Sequence, residues 1–214
     1  MKPIVDPRYS EASASPQISR FLLQHARACG HDPALLCRGL GFAPEDLQQP
    51  DYRLSFRQSY QLVRRAQQLL GDSALGLTVG ERQTPVSWGL VGLAMLACAD
   101  LGAALQLALR YQWHIGSLLD YHSELHGDQV RFCATPRFFD PEVAVFYLEE
   151  AFASSLSIVR FLTGQSLVPS RIELQHGCPA HAQRYAELFR CPLQFASKSN
   201  LMEFPASWLT LPLP

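Results

Sequence analysis

Leu119-Asp120-Tyr121-His122-Ser123-Glu124-Leu125-His126-Gly127-Asp128-Gln129-Val130-Arg131-Phe132-Cys133-Ala134 is the stretch on which the fold class turns. Leu119, Tyr121, Ser123 and Leu125 alternate with polar neighbours, His126-Gly127-Asp128 has turn composition, and Val130, Phe132 and Ala134 alternate again. A period of two on both sides of a short glycine turn predicts a β-hairpin with one face turned inward.

Upstream, the apolar period is helical. Ile18, Phe21, Leu22 and Ala26 predict a first helix from Pro16 to a stop at Gly30, and Asp32-Pro33 caps a short second one. Ser55-Phe56-Arg57-Gln58 has the form of a capping box, and Tyr60, Leu62, Val63, Ala66, Leu69 and Leu70 carry the third helix to Gly71. A fourth runs through Leu75 and Val79 toward Gly80. From Val86 to Ala99 the residues are apolar or small nearly all round, which predicts a helix buried on most sides, and Asp100 caps a further helix whose end point is Gly116.

Downstream of the hairpin, Asp140-Pro141 predicts the start of a long helix to Gly164. Arg171 to Gln175 reads as a strand, Pro179 to Phe189 as a helix, and Leu193 to Ala196 and Leu201 to Phe204 as short strands. The expected class is α+β: a helical N-terminal half packed on a small, mainly antiparallel sheet with two further helices. Residues 1–15 read as a disordered lead-in, 16–208 as one unit, and 209–214 as the start of a linker.

Of the 214 residues, 48% are hydrophobic and 17% charged, so an ordinary globular core is feasible. The formal net charge of −1 disfavours phosphate binding by this chain alone, because modules that grip nucleic acid carry a clear excess of Lys and Arg. Arg64-Arg65 reads as a solvated helix face. The N-terminus lacks the apolar core of a signal peptide, and Asp100 interrupts the apolar run from Trp88 well short of a membrane span, so a cytoplasmic protein is expected. Cys29, Cys37, Cys98, Cys133, Cys178 and Cys191 form no C-x-x-C pair, which predicts free and mostly buried thiols.

Catalytic patterns are missing. Pro85-Val86-Ser87-Trp88-Gly89 lacks the first glycine of a nucleophile elbow, and Gly76-x-x-x-Gly80 is followed by Glu81 where a phosphate-binding loop needs lysine. Those glycines, with Gly89 and Gly92, read as packing positions. His176-x-Cys178-x-x-His181 offers three possible metal ligands without an obvious fourth, and is read as structural. His122 and His126, about 13 Å apart by the strand rise, are too distant to share an ion. Neither metal, cofactor nor catalytic residue is expected.

A small-molecule pocket needs aromatic walls with a few polar groups. Trp88, Tyr111, Trp113, Tyr121, Phe132, Phe138, Phe139, Phe146 and Tyr147 gather at the junction of the buried helix, the hairpin and the long helix, most of them as core. The candidate ligand-binding residues there are Trp88, Arg110, Tyr111, His114, Tyr147 and Glu150, with Gln112 as a further polar group. Glu149-Glu150 is most simply a solvated pair, although one carboxylate turned inward would meet an amine of a ligand or an arginine of the protein.

The run Leu69-Leu70-Gly71-Asp72-Ser73-Ala74-Leu75-Gly76-Leu77-Thr78-Val79-Gly80, then Trp88 to Leu105 and Arg110-Tyr111, resembles the N-terminal domain of AraC-type regulators, in the subgroup named for an arabinose-binding-type sensor domain. The likeness continues through Pro169 to Pro179, Phe189-Arg190-Cys191-Pro192-Leu193, Asn200 to Phe204 and Leu209 to Leu213. It rests on order and spacing of packing patterns, and it fixes no binding residue. It implies a domain that binds a small effector or supports a homodimer, and that acts on DNA only through a helix-turn-helix domain outside this chain. An amino acid or related amine is favoured as effector because polar residues adjoin the aromatic cluster, and a ligand-independent dimerisation module is the alternative.

Overall fold

The computed structural model describes residues 6–115 and 117–214, and among them the chain forms eight α-helices and five strands. The helical half contains α1 (Gln17–Ala28), α2 (Ala34–Cys37), α3 (Phe56–Leu70), α4 (Leu75–Gly80), α5 (Gly89–Met95) and α6 (Leu101–Arg110). There follow β1 (Leu119–His126), β2 (Gln129–Pro136), α7 (Ala144–Thr163), β3 (Arg171–Glu173), α8 (Ala182–Phe189), β4 (Leu193–Gln194) and β5 (Leu201–Pro205). The α+β reading stands.

Local chemistry sets the boundaries. The capping box is formed: Ser55 Oγ accepts from the Gln58 amide at 3.2 Å while Gln58 Oε1 accepts from the Ser55 amide at 2.8 Å. Asp100 Oδ1 accepts from the Ala103 amide at 2.7 Å and starts α6. Asp140 spends its side chain on the turn before α7, accepting from the Glu142 amide at 3.1 Å, so the long helix begins at Ala144 rather than at Pro141.

The strands lie in the order β1-β2-β5-β3-β4, antiparallel except for the parallel β3–β4 pair. Val130 stands opposite Phe204 and Phe132 opposite Met202. These residues cover one face, and the Phe132 ring meets Phe152 of α7 with centroids 6.4 Å apart. Helix α7 is therefore wrapped by the sheet on one side and by the helical half on another.

Helix α4 lies directly on α7. A Cβ added to Gly76 would sit 2.5 Å from the Phe146 carbonyl oxygen, and one added to Gly80 would sit 2.6 Å from that of Glu150. Only glycine permits this approach, and it presses α4 against the turn of α7 that carries Glu149 and Glu150.

Several expectations are corrected. The apolar run Val86–Ala99 is not buried on most sides. It forms a 3₁₀ turn, Pro85–Trp88, and the seven-residue α5, which packs chiefly on α6 and that turn, and Leu90 is 85% exposed. Arg64 is not solvated either: it pairs with Asp140 and Glu142, while Arg65 donates to the Leu36 and Arg38 carbonyls, so both tie α3 to its neighbours. All six cysteines are free, but Cys37 alone is buried and Cys29 and Cys178 are exposed.

In the segment read as lead-in, Tyr9 packs edge-on against Tyr60 and Phe138 with centroids 5.7 and 5.5 Å away, and Ala14 bridges to Leu54. The tail read as linker is strapped to the start of α6, the Leu101 amide donating to Leu211 O at 3.0 Å. Gly116, the expected end of α6, lies outside the described residues; the helix closes at Arg110. No described helix is long and apolar enough to cross a membrane.

Candidate functional site

Between α6, α7 and the inner face of the sheet lies a cavity of about 90 Å³. That volume accommodates a small molecule of several non-hydrogen atoms. Leu105 and Leu109 of α6, Tyr121 and Phe132 of the hairpin, Met202 and Phe204 of β5, Trp208, and Trp88 with Met95 supply its apolar wall. Tyr121 stacks on Phe132 with centroids 5.2 Å apart, and Phe204 on Trp208 at 5.1 Å, so the aromatic surfaces are held in place by one another.

Glu150 brings the one carboxylate of this lining. It is 5% exposed, and burial pushes its pKa up to about 7 in spite of the hydrogen bond from Gln83 that favours the ionised form. Gln83 Nε2 donates to Glu150 Oε1, and Gln83 Oε1 accepts from Trp88 Nε1 at 2.9 Å. Among the described residues no Arg, Lys or His lines the cavity or pairs with this carboxylate.

Gln17, Ser155, the Tyr121 phenol and the Trp208 indole are further polar groups of the wall, and three others are engaged with the protein. Gln112 sutures α6 to β1, donating from Nε2 to the Leu109 and Tyr121 carbonyls at 3.0 and 3.2 Å and accepting from the Tyr121 amide at 2.7 Å. Ser117 Oγ donates to Leu119 O at 2.7 Å, and Ser154 Oγ donates to Ala151 O at 3.2 Å.

The six candidate residues separate into two groups. Trp88 and Glu150 line the cavity. Arg110, Tyr111 and His114 do not: α6 ends at Arg110, the turn beyond it swings outward, and the three side chains are exposed, with Arg110 over the Tyr111 ring at 5.7 Å. Tyr147, three residues before Glu150, is buried in the helical half, its ring 5.2 Å from that of Tyr60. Gln112 points inward where its neighbours point out.

Gln83 and Ser154 were missed. Ser154 follows Glu150 by four residues on one helix, and that spacing was a usable signal. Gln83 lies in a polar turn before Thr84-Pro85, where nothing in the sequence marks it.

Neither Glu149 nor Glu150 is solvated. Glu149, 2% exposed, accepts from Tyr185 Oη at 2.8 Å and from His181 Nε2. His176 Nε2 lies 3.2 Å from the same phenol oxygen. Burial raises the Glu149 pKa against these bonds and lowers that of His176. His176 and His181 thus complete a structural network between α7 and α8, Cys178 is exposed, and among the described residues no three His, Cys, Asp or Glu side chains are placed to hold a metal.

Residues 30–213 match the family model of the arabinose-binding domain of AraC transcription regulators, N-terminal part. The chain belongs to this family. It is 35% identical over 170 residues to an ornithine utilization regulator of Pseudomonas aeruginosa, covering 79% of this chain and 50% of that protein. It is 25% identical over 205 residues to an uncharacterized HTH-type transcriptional regulator of Mycobacterium tuberculosis, covering 92% of this chain and 58% of the relative. The chain thus spans about half the length of the curated relatives it matches. The crystal structure of the transcriptional regulator CdpR from Pseudomonas aeruginosa shares the fold, with a TM-score of 0.68 at 19% identity over 92% of this chain and 57% of that one. In this arabinose-binding-type domain the cavity is lined from both halves of the fold.

Proposed function

We propose that this chain is the effector-binding part of an AraC-type transcription regulator, that the effector is an amino acid or related amine, and that its cationic nitrogen pairs with Glu150. The observation that carries the reading is a buried carboxylate facing an apolar cavity with no cation among the described residues to neutralise it. Such a charge is costly to bury alone, and a ligand cation compensates it. The name of the 35% identical relative, an ornithine utilization regulator, supports an amine-bearing effector. The effector is bound and released unchanged, and no catalytic step belongs to this reading.

Control of DNA follows by linkage. An effector that binds one conformation of this domain better than another shifts their populations, and helix-turn-helix units outside this chain, paired in a homodimer, would read that shift. A ligand-independent dimerisation module is the second reading, favoured by the exposed Val86, Leu90 and Leu93 at 62%, 85% and 48%.

Thermal unfolding of the chain with a panel of amines and amino acids tests the first reading, since a ligand of the folded state raises the midpoint. At least one cationic compound should raise it, and Glu150→Gln should abolish the rise. A panel in which no cation has any effect, with a dimer that persists on dilution, transfers the weight to the second reading.

A further inference from the structure

We infer that the effector is a monoamine with an apolar tail and no carboxylate, so that the cavity takes the decarboxylated form of an amino acid rather than the amino acid itself. The inference rests on the pairing of a ligand cation with Glu150 proposed above and goes further by asking what the rest of the cavity accepts.

A ligand α-carboxylate brought out of water beside the Glu150 carboxylate needs a cation to balance the second negative charge. Among the described residues the lining holds no Arg, Lys or His. Trp88 Nε1 is committed to Gln83, Gln83 Nε2 to Glu150, and Gln112 Nε2 to the carbonyls of Leu109 and Tyr121, and the remaining donors of the lining, on Gln17, Tyr121, Ser155 and Trp208, are neutral. The Ser117 and Ser154 hydroxyls are spent on backbone carbonyls as well. In an α-amino acid bound by its α-nitrogen, the carboxylate would also lie within a few ångströms of Glu150, where like charges repel.

Binding the far amine of a diamino acid to Glu150 does not help, because the α-carboxylate and its ammonium would then enter a wall of Leu105, Phe132, Met202 and Trp208. A second ammonium, as in a diamine, meets the same surface with no second carboxylate to neutralise it. One cationic nitrogen at Glu150 and a short aliphatic or aromatic tail along those side chains leaves no charge of ligand or wall unmatched.

Calorimetric titration of the chain with matched compounds tests this: phenylalanine against phenethylamine and phenylalanine methyl ester, and leucine against isoamylamine and leucine methyl ester. The ester keeps the size and the ammonium and removes only the negative charge. In at least one set the amine and the ester should bind at least about tenfold more tightly than the acid, and Glu150→Gln should erase the preference. An acid that binds as tightly as its amine and loses affinity in Glu150→Gln overturns the inference while leaving the pairing with Glu150 intact. An ester rejected as strongly as the acid overturns it too, since size would then be the discriminator. Cations that bind wild type and Glu150→Gln equally overturn the pairing itself, and with it this inference.

Discussion

Glu149 and Glu150 are neighbours on α7 and both are buried, yet their carboxylates are held in separate environments about 100° apart around the helix. Glu149 is matched by His181 and Tyr185 of the α8 region, whereas Glu150, among the described residues, has the neutral Gln83 and Ser154 beside it and faces the cavity. The difference divides a structural carboxylate from one with an unanswered charge.

That unanswered charge should be visible in stability against pH. The folded pKa of Glu150, about 7, lies above its unfolded value of 4.5, so the native state binds this proton more tightly than the unfolded chain does. The resulting stabilisation is full below about pH 4.5 and disappears as pH rises through about 7, a loss of about 3 kcal/mol at most. Glu150→Gln removes the titration and keeps an oxygen to accept from Gln83. Urea unfolding at several pH values should show the variant gaining on wild type by up to that amount between about pH 5 and pH 8. A difference that is constant with pH would mean that Glu150 is ionised throughout.

Effector affinity should move the opposite way. The complex needs Glu150 ionised and the amine protonated, so below about pH 7 binding must first expel a proton from the carboxyl group. Affinity for a cationic ligand should rise about tenfold per pH unit well below pH 7 and level off above it. Calorimetry in two buffers of different ionisation heat would detect the released proton directly. Flat affinity with no proton release contradicts the pairing.

Trp88 and Tyr111 now separate. Trp88 lines the cavity and donates to Gln83, while Tyr111 is 38% exposed at the end of α6. Trp88→Ala should weaken effector binding by at least about tenfold. Trp88→Phe keeps most of the wall and frees Gln83, and should fall between that variant and wild type. Tyr111→Ala should leave affinity within about twofold. Equal losses at 88 and 111 would place the ligand outside this cavity.

How far the sequence could be read follows from what each signal depends on. The hairpin and the cap at Ser55 were legible because period and capping chemistry act over a few residues. The fate of Val86–Ala99 was not, since an apolar run states that burial is favourable and leaves open whether a partner covers it. The same limit split the candidate site. Trp88 and Glu150 lie on elements that face the cavity, but whether Arg110, Tyr111 and His114 do so depends on where α6 stops, and no glycine or proline marks Arg110 as its end. Tyr147 was drawn in by its aromatic ring, whose partner Tyr60 is distant in sequence.

The glycines of α4 offer a test of how the carboxylate is positioned. A methyl group at Gly80 would lie 2.6 Å from Glu150 O and 2.7 Å from Ala153 Cβ, and one at Gly76 would lie 2.6 Å from Glu149 Cβ. Backbone cannot yield as a flexible side chain can, so α4 must lift from α7. Gly80→Ala should cost about 1–3 kcal/mol of stability in urea unfolding despite alanine's better helix propensity. Lifting at Gly80 also disturbs the approach of Gln83, three residues on, to Glu150, so effector affinity should fall in the same variant at temperatures where it remains folded. Alanine at Gly76 should cost similar stability and act first on Glu149 and its bonds to His181 and Tyr185, leaving affinity less affected. Both substitutions proving neutral in stability would show that α4 does not bear on α7 as closely as described, and the placement of Glu150 would then need another cause.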